Sequence, residues 1–275
     1  RIAECTNPMV KNTFIKWFAK RYNINMSEAL IEEPTAFENF NAFFTRELKP
    51  GVRTIDDAAD AIVSPADGAV SQLGNIEHGR IFQAKGRGYG LTTLLGGNAK
   101  LAEQFINGSF ATIYLSPRDY HRVHMPVTGT LRETIFVPGD LYSVNQTTAE
   151  NVDQLFARNE RLVAIFDTEQ GPMAMVLVGA MVVAGIETVW SGHEAPVHRK
   201  AIRTAYQPEE LEPITLQKGE EMGRFKLGST VVLLFGEDAV NWQETLRAES
   251  PLLLGERIAT QQTESNSEEQ NSSAA

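Results

Sequence analysis

Apolar positions follow two different rhythms along this chain. In PMVKNTFIKWFAKRYNINM, residues 8–26, Val10, Phe14, Trp17 and Phe18 recur at helical spacing. Ser27 can cap a second short helix, with Glu28 in its first turn and Pro34 ending it. Phe37, Phe40, Phe43 and Phe44 mark a further amphipathic turn or helix, and Pro50-Gly51 closes the region. From about residue 60 to 255 the rhythm shortens. Val/Ile/Leu-rich runs such as FATIYLS, GTLRETIFVPGD and FKLGSTVVLLF alternate with Gly, Pro, Asn and Asp, which predicts strands separated by turns. Helical interruptions are expected at 91–106 and 148–158. The pattern predicts an α+β, β-rich fold: a helical segment over 1–50, a largely antiparallel sandwich-like or barrel-like domain over 51–255, and a disordered acidic tail over 256–275, where TQQTESNSEEQNSSAA has almost no apolar residue.

Composition narrows the function classes. Hydrophobic residues make up 42% of the 275, enough for a sizeable core. The net charge of -10 argues against nucleic-acid binding, which rewards clustered Lys and Arg, but leaves room for local contact with a membrane. Cys5 is the one cysteine, so no intrachain disulfide forms, and no Cys/His spacing suits a metal. The chain opens on Arg1, which implies residues upstream. Residues 170–186 carry no charge but include Pro172, Gly179 and Gly185 and fall short of the ~20 apolar residues of a membrane span; buried strands are expected there.

Three segments can carry chemistry. Ser64-Pro65-Ala66-Asp67-Gly68 reads as a turn, or as the source of a carboxylate that orients a histidine. Tyr114 to Pro126 packs His121, His124, Arg118, Arg122, Asp119 and Tyr120 into one stretch. It reads as a solvated loop, or as a site with a general base and an anion contact. In a strand, 121 and 124 point to opposite faces; in a helical turn they share one. Gly223 to Thr230 reads as a bend entering a strand, or as a reactive peptide in which Gly228 leaves room for attack by Ser229.

Together, PADG, YLSPRDYHRVHMP and GRFKLGST, in this order, resemble the bacterial phosphatidylserine decarboxylases, and FFTREL, VPGDLYSVN, LFARNER and VGAMVVAGIETVW agree. The resemblance spans about residues 10–240. It implies a proenzyme in which Asp67, His124 and Ser229 form a self-cleavage triad that cuts Gly228-Ser229 into a large and a small chain. Residue 229 then becomes a covalent pyruvoyl group, which forms a Schiff base with phosphatidylserine and yields phosphatidylethanolamine after loss of carbon dioxide. His121 is the candidate proton donor or substrate contact. The resemblance also implies a homodimer, bound peripherally at the cytoplasmic side of the cell membrane. Arg118 and Arg122 are candidate phosphate contacts, or partners of Asp119, and 137–145 a candidate loop over the substrate. The helix near the start has no acidic residue between Cys5 and Ser27 but carries Lys11, Lys16, Lys20 and Arg21. It suits an anionic membrane or ordinary core packing, since Arg21 falls on the side of Phe14 and Trp17.

Two other classes stay open on residues alone. A serine hydrolase would keep one chain, but no Gly-x-Ser-x-Gly elbow surrounds Ser229. A β-rich binding module would tolerate loss of the Ser229 hydroxyl.

Overall fold

A computed structural model describes residues 2–180, 185–195, 200–206, 212–226 and 229–262. Gly228 and residues 263–275 of the expected tail lie outside this set, so nothing structural bears on them.

The helix Pro8–Arg21 starts where Asn7 accepts a hydrogen bond from the Met9 amide and Pro8 takes the first turn. Its inward side is Ile15 and Phe18, with Phe14 half-buried against Phe40 at 4.5 Å between ring centroids. The expected single stripe is split, because Val10 and Trp17 face outward with Met9. A short helix, Phe40–Phe44, capped by Asn39, supplies the other half of this aromatic cluster.

Among the described residues, nine strands form the main sheet, and every pairing in it is antiparallel. At its centre Ser229–Phe235 lies between Ser109–Leu115 and Gly171–Gly179, and all seven of its residues are buried. Side chains alternate across a strand. Val231, Leu233 and Phe235 therefore enter one core, and Val232 and Leu234 enter the other. The first core is closed by a four-stranded sheet that contains Ile186–Thr188, Glu221–Phe225 and Arg122–His124. The second is closed by short helices around Leu91, Leu94, Phe105 and Phe156, in the regions where helical interruptions are expected. Burial on both faces explains the unbroken apolar run; each Val or Leu contributes about 1.5–3 kcal/mol. Of the charge-free stretch, Gly171–Gly179 forms a buried strand of this sheet, as expected, and residues 181–184 lie outside the described residues.

The boundary of the tail moves. Arg257–Gln261 is a strand paired with Ala61–Val63 and Val240–Trp242, so ordered structure continues past 255. Ile258 and Ala259 are buried and anchor it, a short apolar signal hidden in a polar sequence.

Candidate active site

The chain changes sheets at the reactive segment. Phe225 ends a strand of the four-stranded sheet, and Ser229 begins one at the centre of the main sheet. Gly223 is required where the strand Glu221–Phe225 packs on Ile186–Thr188, because a Cβ there would lie 2.3 Å from the Glu187 carbonyl oxygen. Gly68 of PADG is bound in the same way, 2.3 Å from the Tyr114 carbonyl oxygen.

Ser229 is fully buried, and its Oγ lies 3.2 Å from His121 Nδ1. His121 Nε2 lies 3.1 Å from the Ser116 carbonyl oxygen. A carbonyl only accepts, so Nε2 carries the proton and Nδ1 presents its lone pair to the Ser229 hydroxyl. Ser116 is held in turn by a tight Ser-Pro-Arg-Asp turn: the Asp119 amide donates to the Ser116 carbonyl at 2.9 Å, and Asp119 Oδ2 accepts from the Ser116 amide at 2.7 Å. Phe44 stacks on the imidazole, with ring centroids 3.9 Å apart. Burial first, and the Arg46 charge second, push the His121 pKa down to about 3, so the ring is neutral near pH 7.

His124 sits one shell away. Its Nδ1 donates to the Gly219 carbonyl at 2.8 Å, and its Nε2 accepts from the Tyr120 hydroxyl at 3.1 Å. Burial is the main influence lowering its pKa, but the Gly219 carbonyl, Glu221 and Asp67 push it back up. Asp67 is a buried anchor: Oδ1 accepts from Arg53 Nε at 2.9 Å and from the Leu254 amide at 2.8 Å, and Oδ2 from Arg53 Nη2 at 2.6 Å. The contacts Asp67 to His124 and His124 to Ser229 are thus not the hydrogen bonds this structure makes. His121 holds the place beside Ser229, and Tyr120 and Gly219 occupy His124. The reason is local: His121 precedes the strand Arg122–His124, so strand alternation does not govern both histidines.

The two candidate phosphate contacts differ. Arg122 is saturated by Thr45 O, Glu47 and Glu221, whereas Arg118 is exposed and 3.7 Å from Asp119. Sequence reading missed Arg46 and Arg53, and named Phe44 and Tyr120 without giving either a role beside a histidine. FFTREL was legible as a motif, yet nothing in it announces a ring stacked on a distant histidine.

The model of the family described as "Phosphatidylserine decarboxylase" matches residues 40–260, and a second, "PSD", matches 1–23. The chain belongs to the phosphatidylserine decarboxylase family. Curated relatives named phosphatidylserine decarboxylase proenzyme from Pseudomonas entomophila (strain L48) and Pseudomonas putida (strain F1) are each 62% identical over 258 residues, covering 94% of this chain and 90% of theirs. One from Pseudomonas fluorescens (strain Pf-5) is 62% identical over 257 residues, covering 94% of this chain and 89% of its own length.

For this family member the two lowered histidines make a stability prediction. Between about pH 3 and 6.5 the unfolded chain binds protons at His121 that the folded chain does not, so stability is full above 6.5 and lost as pH falls. The slope from His121 reaches about 1.4 kcal/mol per pH unit. Urea unfolding from pH 7 to 5 should show this loss, and His121→Asn should flatten it; equal slopes would contradict the assignment.

Proposed function

We propose that this chain is the precursor of a pyruvoyl-dependent decarboxylase that converts phosphatidylserine to phosphatidylethanolamine. The observation that carries the reading is the Ser229 hydroxyl: wholly buried, placed where the chain crosses between sheets, and bonded to a neutral imidazole. Any buried hydroxyl needs a partner, and an imidazole nitrogen in that place, at the first residue of the strand, suits a nucleophile.

In the cut, Ser229 Oγ loses its proton to a base and bonds to the Gly228 carbonyl carbon, while the amide C–N bond breaks and its nitrogen takes a proton. The ester then loses the residue-229 α-proton, the Gly228 carboxylate leaves from Cβ, and the resulting dehydroalanine tautomerises to an imine. Water hydrolyses the imine to pyruvoyl and ammonia. We assign the first proton to His124, with Asp67 and Glu221 favouring its charged form. That assignment requires the Tyr120 hydroxyl to release His124 Nε2. An imidazolium at His121 costs roughly 5 kcal/mol near pH 7 for a ring titrating at about 3, so His121 holds the hydroxyl in place instead.

Residue 229 fits a prosthetic role: it is anchored by pairing on both sides and shielded from water. The pyruvoyl group supplies an electrophilic carbonyl for the substrate amine and a sink for the electrons left by carbon dioxide. His121, already in contact with residue 229, serves there as a substrate contact, its Nδ1 lone pair facing residue 229 and its one proton held on Nε2 by the Ser116 carbonyl.

Among the described residues, no helix is long and apolar enough to cross a membrane. Peripheral contact suits the outward side of Pro8–Arg21, where Met9, Val10 and Trp17 are exposed beside Arg21, whereas Lys11 is tied to the carbonyls of Thr35 and Phe37.

Intact-protein mass spectrometry under denaturing conditions, paired with decarboxylation of phosphatidylserine vesicles, tests the proposal. Two masses are expected, 1–228 and 229–275, the second lacking ammonia and blocked at its amino terminus. Under native conditions the chains should co-elute, because residues 229–235 pair with two large-chain strands and Arg257 pairs with Asp56 at 2.9 Å. An active preparation made of unbroken chain would refute the proposal.

A further inference from the structure

Four arginines of the described chain have little exposure, and three of them are fully engaged. Arg53 pairs with Asp67 and Glu28, Arg122 with Glu47 and Glu221, and Arg161 donates to the carbonyls of Leu94, Asn159 and Thr93. Arg46 differs. It is 4% exposed, its Nη2 reaches only the carbonyls of Arg118 and Asp119 at 3.2 and 3.4 Å, and its Nε and Nη1 have no partner among the described residues. The acids that act on it through space are committed elsewhere: Asp67 and Glu28 to Arg53, Asp119 to the Ser116 amide. A buried guanidinium left without a counter-ion is costly and invites an anion.

Arg46 borders two cavities. One, of about 220 Å³, is shared with Arg53 and Arg118 but also with the carboxylates of Glu28, Asp67 and Asp119, which disfavour an anion there. The other, of about 240 Å³, is shared with Arg122 and Arg224 and rimmed by exposed Leu30 and Ile31. Arg46 also lies two residues from Phe44, the ring stacked on His121, and its charge is felt there.

We propose that Arg46 receives the phosphodiester of the lipid headgroup. This rests on the decarboxylase reading above. The substrate has two anions, and the chemistry separates them. An arginine on the carboxylate would stabilise the charge that the reaction must discharge, and so oppose loss of carbon dioxide. The phosphodiester keeps its charge from start to finish and matches the planar guanidinium fork. The apolar rim at Leu30 and Ile31 gives the acyl chains a way out beside it.

The test compares wild type, Arg46→Met and Arg46→Lys on soluble dihexanoyl phosphatidylserine. Self-cleavage should be complete in all three, and the thermal midpoint of Arg46→Met should not fall, since an unpaired buried charge is removed. KM should rise roughly 30-fold in Arg46→Met, and less in Arg46→Lys, with kcat nearly unchanged, as for binding that is equal in ground and transition states. Dihexanoyl phosphatidylglycerol, a phosphodiester with neither amine nor carboxylate, should bind the wild type in calorimetry and weaken by a similar factor in the variants. This readout needs no turnover, so it decides Arg46 even if the wild type proves not to decarboxylate. Unchanged binding of that probe, a fall confined to kcat, or a variant that stays uncut would overturn the assignment. Should Arg46→Met fail to fold, Arg46→Lys carries the same comparison.

Discussion

Ser229→Ala should leave the chain whole and reduce decarboxylation by at least about a thousandfold, because the nucleophile and the source of the prosthetic group are the same atom set. The fold should survive. The substitution fits a strand whose other six positions are buried, and it leaves the His121 Nδ1 lone pair unsatisfied at a cost of about 1–3 kcal/mol. A denaturing gel should show one band, and circular dichroism a β-rich spectrum like that of the wild type. Ser229→Cys and Ser229→Thr keep a nucleophile and should cut slowly, but only a serine-like residue eliminates cleanly to pyruvoyl. A Ser229→Ala chain that decarboxylates phosphatidylserine would refute the pyruvoyl reading.

His124→Ala should also remain uncut, whereas His121→Ala should cut, more slowly, and then decarboxylate at least about a hundredfold worse than the wild type. The two rings differ in their charged neighbours. Arg46 opposes a proton on His121; Arg122 opposes one on His124 too, but there Glu221 and Asp67 act against it and burial does not act alone. They differ in the opposite sense in position, since His121 alone touches Ser229. Cleavage needs a base that can hold a proton; the later chemistry needs a group at residue 229. Time courses on gels, followed by activity of whatever material is cut, separate the two steps. The reverse pattern, with His121→Ala uncut and His124→Ala cut, would make His121 the base in the geometry described, with no exchange at Tyr120. Tyr120→Phe sharpens the comparison: freeing His124 Nε2 from its donor should quicken the cut if His124 is the acceptor.

The motifs were legible because each demands unusual residues at fixed places. Gly68 and Gly223 stand where backbone carbonyls leave no room for a Cβ, and the SPRD turn places a carbonyl where His121 needs an acceptor. The unbroken run from Val231 to Phe235 likewise announced a strand covered on both faces. The strand Arg257–Gln261 was hidden because two small buried residues, Ile258 and Ala259, suffice to dock it on partners far away in sequence.

By itself, the order of residues determined the local elements, the strand that begins near Ser229 and the set of groups able to react, since periodicity and turn chemistry act over a few neighbours. Tertiary structure alone decided which histidine meets Ser229, that Arg53 claims Asp67, and that Arg46 is left without a counter-ion. Those outcomes depend on side chains tens of residues apart competing for the same few buried partners, and no local pattern encodes who wins.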